Sequence, residues 1–302
     1  MGADPFSDFL NITRAHSTHT GALVAGGAWA IAVPPPETLK FWAIARGHCW
    51  LTVERDKPIR MECGDVFMLS APRRHVLASD RKARPRPLAD VLDGRTGPVV
   101  RIGTGDETLM LGGKVVLDPG GAELLLATLP PVIHIRAASR LAQTLHWLMN
   151  QLVTERTDEL PGAEVAAAQL AHLMFIQILR AHFESPGRHA AGWLRAMSDK
   201  RLAPALRLMH GEPGRGWQLD ELARAAAMSR ATFAAYFKQV AGIAPMTYLA
   251  RWRMRLAAKA LREDGATVRE LATTLGYTSE SAFSHAFKRI TGDSPRACRA
   301  RG

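Results

Sequence analysis

Apolar positions change their spacing along the chain, and each change predicts a different kind of element. From Leu39 to Asp80 the runs FWAIARG, CWLTVER, IRMEC and DVFMLSA are short and rich in Val, Ile, Phe and Trp, with Gly, Asp-Lys-Pro and Gly-Asp turns between them. They predict an antiparallel β unit, because branched and aromatic side chains pack well on a pleated surface. LADVLDG and ETLMLGGKVVL, beyond a basic, proline-bearing loop over 81–87, read as a second set of strands. The period then lengthens. Leu141, Leu145, Leu148 and Leu152 form a helical seam, and a helix expected over 163–183 is apolar on several sides. These two helices either pack on each other or build a dimer interface. ESPGRHAAG, from Glu184 to Gly192, carries loop-forming residues and reads as a linker.

The last hundred residues contain an internal repeat. ELARAAAMSRATFAAYFKQVAGIAP, starting at Glu221, matches ELATTLGYTSESAFSHAFKRITGDSP, starting at Glu270, in register but for one residue inserted in the turn. Phe233, Phe237, Lys238, Gly242 and Pro245 thus pair with Phe283, Phe287, Lys288, Gly292 and Pro295. Each copy predicts helix, short turn, helix. Thr267 and Glu270 have the spacing of a capping box, whereas Gln218 offers the first copy a weaker cap. The i, i+4 spacing of the Phe pairs argues for burial rather than base stacking. A helix from Pro245, with Leu249, Trp252, Leu256 and Leu261 for core contacts, connects the copies; at 1.5 Å per residue it spans about 28 Å.

Charge sharpens this division. Residues 200–302 hold 18 Lys and Arg against 8 Asp and Glu, whereas residues 1–199 hold 21 against 20. A near-neutral part joined to a strongly basic one is the charge layout of a sensor or scaffold attached to a nucleic-acid module. Two helical corners in the basic part predict tandem helix-turn-helix motifs, whose second helices enter the DNA major groove. Adjacent grooves repeat every ~34 Å, farther than the connecting helix reaches, so the DNA bends or one helix tilts. The apolar stretch 22–33 falls short of the ~18 residues of a membrane span. The N-terminus lacks the pattern of a secretion signal, and Cys49, Cys63 and Cys298 have no CxxC spacing, so a reducing cytoplasm is expected.

The tandem motif, its linking helix and the closing F-x-x-x-F-K-R-x-x-G-x-S-P-x-x-x-R, Phe283 to Arg299, resemble the DNA-binding domain of AraC/XylS-family transcription regulators. GDVFMLSAPRRHVLASD, from Gly64, resembles part of a cupin barrel, as in the sensor domain of one subgroup of that family. The resemblance implies an α+β protein: a cupin-like β-barrel sensor over 1–136, helices for dimerisation over 137–184, a linker over 185–199, and an all-α DNA-binding domain over 200–302. It implies promoter DNA, a small-molecule effector, RNA polymerase and a second copy as partners, with no membrane, no cofactor and no enzymatic activity. Base-facing positions of the first recognition helix correspond to Ala231, Ala234 and Ala235, flanked by Arg230 and Thr232. Alanines offer bases no hydrogen bond, so this corner anchors on phosphates through Arg230 and Lys238. The second helix offers Ser279, Glu280, Ser281, Ser284 and His285 for readout, with Lys288, Arg289 and Arg296 for phosphates.

In the sensor, Trp29, Trp42, Trp50, Phe41 and Phe67 are candidates to line a ligand pocket, or simply to fill the core. A cupin metal centre needs an H-x-H pair, which is missing here: His48 is followed by Cys49 and Trp50. His75 is the one remnant of such a site, with a satisfied or loop histidine as the alternative, so no metal is assigned. His16 and His19 have the spacing of a helical metal pair without further ligands to join them. The alternatives are a ligand-independent DNA binder and a metal-dependent cupin enzyme.

Overall fold

The computed structural model describes residues 4–13, 15–36, 38–54, 56–70, 72–92, 99–117, 125–126, 129–139, 142–157, 161–184, 192–263 and 265–300. The chain divides into two compact units, one of residues 15–118 and 129–187, the other of 188–302 together with 1–14 and 119–128.

The first unit is built on two sheets. One comprises β1 (His16–Ala25), β3 (Leu39–Arg46), β6 (Val66–Leu69), β9 (Val99–Ile102), β10 (Thr108–Val116) and β11 (Val132–Ile135), in the order β11-β6-β3-β10-β1-β9. The other comprises β2 (Ala30–Val33), β4 (His48–Val53), β5 (Ile59–Glu62), β7 (His75–Ala78) and β8 (Arg86–Pro87), in the order β5-β4-β7-β2-β8. Alternate residues from both, among them Ile31, Val33, Ile44, Leu51, Phe67, Leu69, Leu77 and Met110, form one core between them. The two sheets enclose this core as the expected cupin-like fold does, and among the described residues no ladder joins one sheet to the other.

All four residues of β6 are buried, because Phe67 and Leu69 face this core while Val66 and Met68 occupy the opposite face. Helices α3 (Ala142–Thr157) and α4 (Ala163–Glu184) pack together, and α4 also lies against β1, β6, β10 and β11. That double contact is why α4 is apolar on several sides. Leu145, Leu148 and Leu152 are buried within this unit, so the seam packs inside the chain, and Leu141 lies outside the described residues.

Two local expectations change. LADVL is helix α2 (Leu88–Leu92) rather than a strand, since Pro87 and the first-turn Asp90 favour a helix start. Residues 16 and 19 lie on strand β1 rather than on a helix, so the helical i, i+3 spacing that suggested a metal pair does not apply.

The second unit is helical: α1 (Pro5–Ile12), α5 (Trp193–Ser198), α6 (Ala203–Gly211), α7 (Leu219–Ala225), α8 (Arg230–Ala241), α9 (Pro245–Glu263), α10 (Val268–Thr274), α11 (Glu280–Thr291) and α12 (Pro295–Arg299). Residues 193–198, placed by the sequence in the linker, instead form α5 with Trp193, Leu194, Ala196 and Met197 buried; its entry is tied by the Gly192 amide to the Val240 carbonyl at 2.9 Å. Likewise α1, grouped by sequence with the sensor, packs here on α5, α6 and α9.

Candidate nucleic-acid interface and sheet-unit interior

The repeat in sequence is a repeat in backbone hydrogen bonding. In the turn of the first corner the Met228 amide donates to the Ala223 carbonyl at 2.9 Å, and in the second Tyr277 donates to Ala272 at 2.8 Å. Ser229 and Ser279 then cap α8 and α11, their hydroxyls accepting from the amides of Thr232 and Ala282 at 3.2 and 3.1 Å. Both helices end on a left-handed glycine, Gly242 at φ 75° and Gly292 at φ 83°. Thr267 and Glu270 form the expected capping box, and the Gln218 amide donates to Glu221 at 2.9 Å. Phe233, Phe237, Phe283 and Phe287 are fully buried, so they hold the corners together and stack on no base.

The opposite stripe of each second helix is exposed. Arg230, Ala231, Thr232, Ala235 and Lys238 are exposed on α8, with Ala234 half-buried. Glu280, Ser281, His285, Lys288 and Arg289 are exposed on α11, with Ser284 half-buried; Arg296 is exposed on α12. Several of these groups have partners already. Arg230 approaches Asp220 at 3.6 Å, and Glu280 is gripped by Arg269 Nε at 3.0 Å. The Ser279 hydroxyl is engaged as a cap, and that of Thr232 bonds the Ser229 hydroxyl at 2.8 Å.

In the sheet unit, Trp29 and Phe67 belong to the buried core and Trp42 packs against it. His75 is buried on β7 beside them. Two aromatic candidates face elsewhere. Trp50 alternates with the inward Cys49 and Leu51, so it faces away from the core, with the Arg81 guanidinium 5.4 Å from its ring centroid. Phe41 alternates with inward Trp42, on the face where a Cβ at Gly113 would overlap its ring. A cleft of about 370 Å³ is lined by Gly26, Gly27, Trp29, His48, Asp80 and Glu107, among others. No group of three or more His, Cys, Asp or Glu among the described residues is arranged to hold a metal, and no described helix is long and apolar enough to cross a membrane.

Residues 4–184 match the cupin family and residues 222–301 the helix-turn-helix domain family. An AraC-like transcription regulator of Streptomyces antibioticus is 39% identical over 293 residues, covering 97% of each chain. This chain belongs to the AraC-like transcription regulators. The regulator AlkR of Acinetobacter baylyi is 28% identical over 280 residues, 89% of this chain and 90% of that one. Among solved structures, the DNA-binding domain of AdpA in complex with a target DNA is 31% identical, covering 34% of this chain and 93% of that one at a TM-score of 0.32. ToxT from Vibrio cholerae, with an unsaturated fatty acid bound, covers 93% of this chain and 92% of that one at 12% identity and a TM-score of 0.36.

One feature of this AraC-like chain has no sequence signature. His210 is buried and stacks on Trp252 at 3.7 Å with 7° between ring planes. Its Nε2 lies 2.9 Å from the Tyr248 hydroxyl and its Nδ1 3.3 Å from the Asp8 carboxylate of α1. Burial lowers the imidazole pKa while Asp8 opposes it. The ring thus works as a hydrogen-bonded core element beneath the first corner. Nothing in residues 8, 210 and 248, so far apart in sequence, announces that meeting.

Proposed function

We propose that this chain is a sequence-specific regulator that binds promoter DNA through α8 and α11 and responds to a small-molecule effector in its sheet unit. The observation that carries the reading is the pair of corners with matching turn, cap and glycine-stop geometry, each with its phenylalanines buried and a basic or polar stripe exposed. The two corners divide the labour. The alanines of α8 touch thymine methyls at most, while Arg230 and Lys238 hold phosphates. On α11, Ser281, Ser284 and His285 meet base edges; Glu280 accepts from cytosine once Arg269 turns from it to a phosphate. Lys288, Arg289 and Arg296 anchor the backbone.

The protein acts as a homodimer in the cytoplasm, where promoter and polymerase are. With the leucine seam engaged internally, the apolar surface offered to a second copy is Trp147 of α3 with Val165 and Leu173 of α4, which are 57%, 68% and 45% exposed. Trp29, Trp42, Phe67 and His75 are the effector-side residues, and no catalytic or metal role is assigned to any of them. An effector regulates by binding two domain arrangements with unequal affinity. The test is footprinting with circular-permutation mobility on selected DNA: protection of two adjacent grooves with bending is expected. Protection of one groove on straight DNA overturns the two-groove reading, and no binding at low salt overturns the function.

A further inference from the structure

The two corners carry the same ion pair with its signs exchanged. In the first, Asp220 is the second residue of α7 and Arg230 the first of α8, 3.6 Å apart. In the second, Arg269 is the second residue of α10 and Glu280 the first of α11, 3.0 Å apart. The positions are equivalent in local structure as well as in sequence. Asp220 and Arg269 each precede the glutamate of a capping box, Glu221 or Glu270, and Arg230 and Glu280 each follow a serine cap, Ser229 or Ser279. One corner thus sets an acid on the supporting helix against a base on the recognition helix, and the other reverses them.

Helix stability does not account for the two arginines. Both stand in the first turn of a helix, where the macrodipole disfavours a cation and favours a carboxylate. Nor does the strength of the pairs: all four side chains are about half exposed or more, Arg269 at 85%, and exposed ion pairs contribute little. A weak, solvent-facing pair at the start of a recognition helix is instead one that DNA can exchange. N-terminal residues of that helix meet base edges, while the supporting helix crosses the phosphate backbone.

We propose that Arg269 makes a phosphate contact conditional on the base read by Glu280, and that Asp220 is a counterweight that loosens Arg230 from every phosphate. The inference rests on α8 and α11 being the recognition helices and adds residues 220 and 269 to their readout. A carboxylate only accepts, so Glu280 leaves Arg269 for the N4 amino group of a cytosine and not for the O4 acceptor of a thymine or the O6 of a guanine. Its departure frees the guanidinium for a phosphate. On the wrong base Glu280 stays on Arg269 and cancels its charge, so the backbone grip tightens only where the sequence is right. In the first corner the exchange carries no sequence information. Arg230 only donates, alanines stand beside it, and the carboxylate it leaves behind repels all phosphates alike. The same pair therefore sharpens specificity in one corner and weakens anchoring in the other.

The test is the slope of log K against log salt, read by fluorescence anisotropy with the full chain on a site selected from random duplexes. Copies of that site have each cytosine in the half protected by α11 replaced in turn by uracil paired with adenine, which exchanges the N4 donor for an O4 acceptor. One replacement is expected to reduce the slope of the wild-type chain by about 0.9, the loss of one phosphate contact. Arg269→Gln should show the lower slope on both DNAs and Glu280→Gln the higher slope on both, so each abolishes the difference. Lys288→Ala, which removes an ordinary anchor, should lower both slopes and keep the difference. Asp220→Asn should tighten binding to both DNAs alike, by roughly two- to fivefold. Every substituted side chain is exposed, so the corners keep their packing. Equal wild-type slopes on all the DNAs, or a difference that survives Arg269→Gln, overturn the conditional contact, and weaker binding by Asp220→Asn overturns the counterweight. A wild-type chain that binds no duplex at low salt overturns the reading of the helices themselves.

Discussion

The two corners use one left-handed residue each at the same step of the turn, but not the same residue type. Gly276 has φ 74°, and its counterpart in the first corner is Ala227 at φ 52°. A Cβ in this region costs about 1–2 kcal/mol, and the Ala227 side chain is exposed, so its methyl recovers little through burial. Ala227→Gly removes the strain, but the looser unfolded glycine takes back about 0.5–1 kcal/mol. The net is a stabilisation of about 0.5–1 kcal/mol. Gly276→Ala is not the mirror image. It acquires the same backbone cost, and its Cβ would also overlap the Gly214 carbonyl, a backbone group that cannot swing aside. Together these come to about 3 kcal/mol or more of destabilisation.

Hydrogen exchange on peptides spanning 219–242 and 268–292 reads each corner separately, which a global melt of a two-unit chain does not. At tenfold per 1.4 kcal/mol, Ala227→Gly should slow exchange in the first corner by roughly two- to fivefold. Gly276→Ala should speed it in the second by roughly a hundredfold. If Ala227→Gly accelerates exchange, or the two substitutions act with the same sign, the strain assigned to the turn is wrong.

Phe283→Ala empties a fully buried site, so a loss of ~3–5 kcal/mol is expected, seen as collapse of exchange protection in α10 and α11 while the sheet unit keeps its own. Lys288→Ala should weaken binding to all DNA sequences alike and reduce the slope of log K against log salt by about 0.9, measured by fluorescence anisotropy; altered sequence preference at constant slope would contradict the phosphate role. His75 supplies a pH dependence. Its folded pKa of about 4 lies below the ordinary 6.5, so the unfolded chain takes the proton first. Stability is therefore full above pH 6.5 and falls by about 3 kcal/mol as pH drops toward 4. In His75→Gln, urea unfolding of the sheet unit should lose that dependence.

The reach of sequence reasoning depended on whether the deciding interactions were local. The doubled corner, the Ser and Thr caps, the glycine stops and the inward phenylalanines were all legible, because a helix surface repeats every few residues and a cap lies within three of its partner. So was the sheet unit as a set of short strands. What failed was whatever depended on a partner distant along the chain. LADVL could not be told from a strand by its apolar content alone, and the leucine seam of α3 gave no sign whether a second copy or α4 would cover it. Trp42 and Trp50 look alike in sequence; only strand register sends the one inward and the other outward, since a slip of one residue exchanges the faces. The sequence by itself therefore determined the repeated local geometry that would present a basic stripe to DNA. Tertiary structure alone decided that Asp8 and Tyr248 meet His210, and that α4 rather than a second copy covers the leucine seam of α3. Those meetings are set by pairings across tens to hundreds of residues, where burial and register, not local preference, fix the neighbours.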